Sequence, residues 1–306
     1  MLPKCARRAE KIRTLAAERG YRANAAAKAM ASGRFNAIGC LHSVDVHSGT
    51  AQHATLIAAL HSELERFDFY VTSSYLSDER LTDPMGLPKF VRELAVDGLL
   101  IDYVGTPAHD VVRDLIVRLR VPAIWMNDKY PANCVYPDDV AAGQIATQHL
   151  IELGHRKIAY ADLSTTSHYS HKDRLEGYRK AMKRAGLETS IVKPKHCTID
   201  ERFDLASLVL GQIDTPTAVV TPSSGTSTPL ISSALARGLK PGKDIAFTTT
   251  GPEQDRSFGF PISTVLIPFQ EVGRVATREL VGQVEDTSRQ TAAIAVPPVL
   301  ERGVTT

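Results

Sequence analysis

From residue 37 to residue 267 short apolar runs alternate with stretches of helical periodicity, and that alternation narrows the fold more than any other feature. The apolar runs are 37–43, 69–75, 97–104, 122–127, 157–163, 218–221, 245–249 and 264–267. They are short and continuous rather than alternating, as strands buried on both faces are. Between and after them, 52–66, 88–95, 108–119, 139–153, 172–185, 226–237 and 269–284 place apolar residues at helical spacing. Gly154, Gly186 and Gly238 follow helix ends, where a left-handed residue is wanted. Alternation of this kind predicts parallel sheets covered by helices, and the elements are too many for one open sheet. The expected class is therefore α/β, with two doubly wound parallel-sheet lobes. A break in composition at 132–138 marks the first passage between them.

Charge divides the chain differently. Residues 1–34 hold nine Lys or Arg against Glu10 and Glu18, a net charge of +7, whereas the remainder carries −5. A basic arm on an acidic body suits a polyanionic partner for the arm alone. No run approaches the roughly 18 apolar residues of a membrane span, and the basic start lacks the apolar core of a signal peptide. Cys5, Cys40, Cys134 and Cys197 are scattered without metal-ligand spacing. A cytoplasmic protein with free thiols and no membrane partner is expected.

Enzyme motifs are missing. No G-x-G-x-x-G follows a strand, and no phosphate-binding G-x-x-x-x-G-K-[ST], H-E-x-x-H or G-x-S-x-G occurs. His42, His47 and His53 are spaced by 5 and 6, which does not match a helical metal pair. They read as surface or pocket-lining residues. "SHYSH" (167–171) reads as a polar loop before a helix opening at Lys172, and Asp138 with Asp139 as helix-capping acids. The chain is expected to be no enzyme and to need neither cofactor nor metal.

Within the basic arm, "RANAAAKAMASGR" (22–34) has the makings of a short helix. Asn24 can cap it, 25–31 propagate it and Gly33 can close it. Met30 is its one large apolar side chain, flanked by Lys28 and Arg34, and that is too little to hold a core.

At "ATQHLIELGHRKIAYADLSTTSHYSHKDRLEGYRKAMKRAGL" (146–187) the chain resembles the lac repressor and purine repressor family of bacterial transcription regulators. "AERGYRANAAAKAMASGR", "VDGLLI" and "PISTVLIPFQEVGRVATREL" support the likeness in the family's order, over nearly the whole chain. The resemblance implies an N-terminal helix-turn-helix, a hinge helix and a two-lobed core like a periplasmic sugar-binding protein. It also implies a homodimer reading an operator palindrome, with a small effector held between the lobes. On that pattern 1–34 comprises the third headpiece helix and the hinge. Residues 35–133 with 268–288 form the N-terminal lobe, and 134–267 with 289–306 the C-terminal lobe.

The start departs from the pattern. The chain opens at about the third helix, 6–19, with Ile12 and Leu15 left from its inward face. The reading head is expected to precede this start or to have been trimmed away, in preference to its being truly lost. By position Met30 stands where the family carries a wedging leucine, which enters the minor groove and kinks DNA. Lys28 and Arg34 would meet phosphate, giving salt-dependent affinity with little base information. So short a hinge is expected to be unfolded away from DNA.

For the effector, ligands of doubly wound sheets sit beyond the carboxyl ends of strands. That places Ser43, Asp45, His47, Asn127, Ser223 and Ser224 near one another. Arg174, in "DRLEGYRKAM", matches the family's effector arginine, and that match favours the pocket over the alternative of a helix-face salt bridge. Trp125 could stack on a sugar or base, or lie in the core. Ser223-Ser224 stand where the family commonly has Asn-Asp, Gly251 where it has aspartate, and Ile267 at an often polar position. These losses leave a sugar, a purine or an organic acid open. His42, His47 and Arg174 lean towards an anionic or polar molecule. The competing reading is a small-molecule sensing module without DNA recognition of its own.

Overall fold

The computed structural model describes residues 4–21, 25–43, 51–77, 79–80, 83, 85–102, 108–164, 168–194, 197–198, 200–211 and 216–306. Two six-stranded sheets form the body. The first contains β1 (Ala37–Ser43), β2 (Tyr70–Leu76), β3 (Gly98–Asp102), β4 (Ala123–Met126), β5 (Cys134–Pro137) and β11 (Ile294–Val296), in the order β11-β5-β4-β3-β1-β2. Every pairing in it is parallel. The second contains β6 (Ile158–Ala161), β7 (Ser190–Val192), β8 (Ala218–Val220), β9 (Ala246–Gly251), β10 (Ser263–Leu266) and β12 (Val299–Glu301), in the order β12-β10-β9-β8-β6-β7. Only its edge strand β12 runs antiparallel, against β10.

The first lobe carries α3 (Ala51–Arg66), α4 (Lys89–Arg92), α5 (Ala108–Leu119) and α10 (Phe269–Glu285); the second carries α6 (Asp139–Glu152), α7 (Tyr169–Arg184), α8 (Glu201–Leu210) and α9 (Ser224–Ala236). β1, β3 and β4 are buried along their length, as the continuous apolar runs require. One apolar cluster runs through both lobes, from Ile38 and Leu60 to Tyr160 and Tyr178. Separate clusters cover the outer faces of the first and second sheets.

The lobe boundaries fall later than 133/134 and 288/289. β5 pairs with β4 and β11 with β5, so both strands belong to the first lobe. Proline places the crossings. Pro137 ends β5, and Pro297-Pro298, which cannot donate to a ladder, separate β11 from β12 in the other sheet. The second crossing lies between β10 and α10.

Two helices precede the body, α1 (Lys4–Glu18) and α2 (Ala25–Ser32). Ile12 and Leu15 of α1 are 60% and 51% exposed, and Met30 of α2 is 86% exposed. α2 is helical in the single chain, against the expectation that it unfolds away from DNA. Its end is anchored: the Gly33 amide donates to Ala29 at φ +69, Arg34 donates to the Val284 carbonyl, and the Phe35 amide donates to Asp97. Lys28 lies in the helix; its side chain, like all of Asn24, Asp45 and His47, falls outside the described residues. No helix among the described residues is long and apolar enough to cross a membrane.

Candidate effector site

The arrangement around Arg174 begins with two glycines. α6 and α7 cross so closely that a Cβ on Gly143 would run into the Arg174 carbonyl oxygen, and one on Gly177 into the Val140 carbonyl oxygen. That contact lays Arg174, 5% exposed, against the first turn of α6. Its Nε and Nη2 both donate to Asp139 Oδ1 at 2.7 Å, and its Nη1 donates to the Pro222 carbonyl at 2.6 Å. Thr250 Oγ1 donates to the same carbonyl at 2.6 Å. Arg174 therefore ties together the start of α6, the end of β8 and the end of β9. Ser223 and Gly251 follow directly on Pro222 and Thr250, so three of the expected positions do converge.

The two acids divide their work. Asp138 caps α6, accepting from the Ala141 amide at 2.9 Å. Asp139, expected as a second capping acid, is instead the buried partner of Arg174. Burial pushes its carboxyl up, and the guanidinium draws it part of the way back.

The first lobe reaches this site through the loop after β4. Asn127 is buried with φ +55, a left-handed turn that aims its carbonyl at His168 Nε2, 3.3 Å away. Two residues on, Lys129 Nζ pairs with Asp173 of α7 and lies 5.3 Å from the Tyr136 ring and 5.7 Å from the Tyr169 ring. The carboxyl edges of the two sheets thus face one another across named contacts. Ser43 ends β1 beside a buried pair, His42 and Asp102 at 3.7 Å, with Tyr75 stacked on the imidazole at 5.0 Å.

Trp125 belongs elsewhere. It is 5% exposed and packs with Leu99, Ile101 and Val112 in the first lobe's outer core, its ring 4.5 Å from Tyr130. Strand alternation explains this, because Ile124 and Met126 take the opposite face of β4. The segment 167–171 is also not all loop: α7 opens at Tyr169, with the His168 ring accepting from the Ser170 amide, three residues before the expected start. His171 faces inward to a compact group in which Ser164 Oγ donates to Asp162 at 2.6 Å and Lys193 pairs with Asp162 at 3.0 Å. Burial opposes ionisation of Asp162, but bonds from His171, Ser164 and Lys193 outweigh it and hold the carboxyl well below its ordinary range. One ring nitrogen of His171, Nδ1, meets both Ser164 and Asp162. A nucleophile–base relay needs the imidazole between the two on different nitrogens, so this group braces a loop rather than activating a serine.

Asp139, His168, Tyr169, Lys129 and Asp173 were not foreseen as site residues. Their signal is weak in a sequence: helix-terminal acids and polar loop residues acquire a role only when α6 and α7 touch.

A family model described as a periplasmic binding protein-like domain matches residues 147–306. The ribose operon repressor of Escherichia coli (strain K12) is 30% identical over 220 residues, covering 68% of this chain and 64% of that protein. The chain's match thus spans a little under two thirds of that relative's length. A solved LacI family transcriptional regulator from Mycobacterium smegmatis is 26% identical, with a TM-score of 0.69 over 88% of this chain and 98% of that one. The lac repressor dimer bound to operator and the anti-inducer ONPF shares the fold at TM-score 0.75 and 20% identity, over 94% and 99% of the two chains. Family model, sequence relative and fold agree: the chain belongs to the lac repressor family of transcription regulators.

Proposed function

We propose that the chain is a transcription regulator whose lobes close on a neutral, hydroxyl-bearing small molecule, and that closure governs how paired α2 helices engage operator DNA. One observation carries the effector class. Two cations described at the cleft already have carboxylates: Arg174 has Asp139 and Lys129 has Asp173. An anionic ligand would have to displace a carboxylate or sit beside it, at a cost that a neutral polyol avoids. Of the anionic or polar molecules towards which His42, His47 and Arg174 lean, the neutral polar ones fit that pairing best. The relative named a ribose operon repressor points the same way.

Coupling to DNA follows from connectivity. Arg34 at the end of α2 bonds to Val284 at the end of α10, and α10 begins directly after the second crossing. A change in the angle between lobes is thereby delivered to the base of the hinge in each subunit of a homodimer. Met30, exposed on α2, supplies the wedge into the minor groove, and the cations of the arm supply phosphate contact.

A thermal-shift panel of neutral sugars, purines and organic acids, followed by selection of duplex DNA on the full chain, tests this. The expected result is stabilisation by a neutral sugar that also changes affinity for the selected DNA by about 5- to 150-fold. Stabilisation by carboxylates or phosphates alone would overturn the effector class. A sugar that binds without altering DNA affinity would favour a sensing module lacking its own DNA recognition.

A further inference from the structure

Two buried polar atoms beside Arg174 have no hydrogen-bond partner among the described residues. Asp139 is 1% exposed and spends one oxygen, Oδ1, on the guanidinium, while Oδ2 meets no donor. Tyr169 opens α7 with its ring 4.5 Å from His168 and its hydroxyl buried and unmatched. Leaving such groups unpaired is costly, so they ordinarily mark the place of a water or a ligand group. They also belong to one locality. Burial raises the Tyr169 phenol most, and the two charges acting on it most strongly are those of Asp139 and Arg174.

We infer that Asp139 Oδ2 and Tyr169 Oη form a hydroxyl-recognising subsite of the cleft, and that Asp139 sets the preference for neutral over anionic effectors. A ligand hydroxyl donates to Asp139 Oδ2 and accepts from the Tyr169 O–H, satisfying both orphans at once. A carboxylate or phosphate has no proton to give and meets the Asp139 charge directly. Arg174, which would attract it, is already matched, with Nε and Nη2 on Asp139 and Nη1 on Pro222. Asp173 nearby is occupied by Lys129. The acceptor missing at Gly251 and at Ser223-Ser224 is thereby supplied from the start of α6. This inference rests on the cleft being the effector site.

Two variants separate its parts. Tyr169→Phe leaves the ion pair untouched; it should weaken the best neutral sugar about 3- to 10-fold without lowering the melting temperature of the free protein. Unchanged affinity would overturn the subsite. Asp139→Asn frees the Arg174 charge, and sulfate serves as a probe that needs no knowledge of the effector. At matched ionic strength, about 20 mM sulfate should raise the melting temperature of Asp139→Asn but not of the wild type. The gain should vanish in Asp139→Asn combined with Arg174→Met. An equal sulfate response in wild type and Asp139→Asn would overturn the selectivity role. Should Asp139→Asn fail to fold, Tyr169→Phe still decides the subsite. If no neutral sugar binds the wild type, the effector reading fails and takes the subsite with it, whereas the sulfate comparison still judges Asp139.

Discussion

Asp139 illustrates how little a residue's sequence neighbourhood says about its charge partner. It follows Asp138 at the start of a helix, and only one of the pair caps. The other finds Arg174, 35 positions away, because Gly143 and Gly177 let two helix backbones touch. The motif marks Arg174 as a candidate effector residue with a helix-face salt bridge as the alternative; a buried partner on another helix was not legible. Truncating it would leave Asp139 buried without a counter-charge, at about 3–5 kcal/mol. Ligand loss in such a variant would report folding as much as contact. Asp162 gives a cleaner residue-scale test. Its folded carboxyl is held below the ordinary range, so the unfolded chain binds its proton more readily. The stability it contributes is complete above about pH 4 and is lost progressively as pH falls below that. Asp162→Asn should lower the melting temperature at pH 7, and the difference from the wild type should shrink progressively as pH falls below about 4. Parallel acid limbs for the two proteins would exclude this role.

Elements were legible in proportion to their length and periodicity. The long helices and the central strands β1, β3, β4, β6, β8, β9 and β10 follow from apolar runs and glycine stops; Gly154, Gly186 and Gly238 do adopt positive φ. β5, β7, β11 and β12 span only three or four residues each and were missed, as was α8. β7 and β12 lie at sheet edges and are partly exposed, so neither needs a continuous apolar run. Missing β5 and β11 displaced two of the three lobe boundaries. At this scale the α6–α7 crossing is the sharpest structural commitment. Glycine to alanine inside a helix normally stabilises by roughly 0.5–1 kcal/mol. Gly143→Ala should reverse that sign, because its Cβ would meet backbone and not a movable side chain. A chemical-denaturation midpoint below that of the wild type is expected; an unchanged or higher midpoint would show that the helices separate without penalty.

For the whole molecule, alternation of strands and helices made the two-lobed α/β class legible, and the resemblance supplied its family. The sequence could not show how the lobes meet. That depends on a left-handed Asn127 aimed at His168, and on a lysine that crosses to Asp173 between two tyrosine rings. Both contacts join the first lobe to α7, the helix that carries Arg174 and Tyr169. On the proposed reading, ligand-induced motion of the lobes is felt at these contacts. The same geometry explains why an effector bound there would register in both lobes at once. A ligand in the separate cavity of about 410 Å³ at the far end of the second sheet, near Lys157, Leu187 and Ser190, would register in one.

Hydrogen exchange of the full chain, with and without the neutral sugar giving the largest thermal shift, tests this most directly. Slowed exchange is expected at 126–130 of the first lobe together with 169–178 and 222–226 of the second. Protection confined to one lobe, or centred on 186–192, would contradict it.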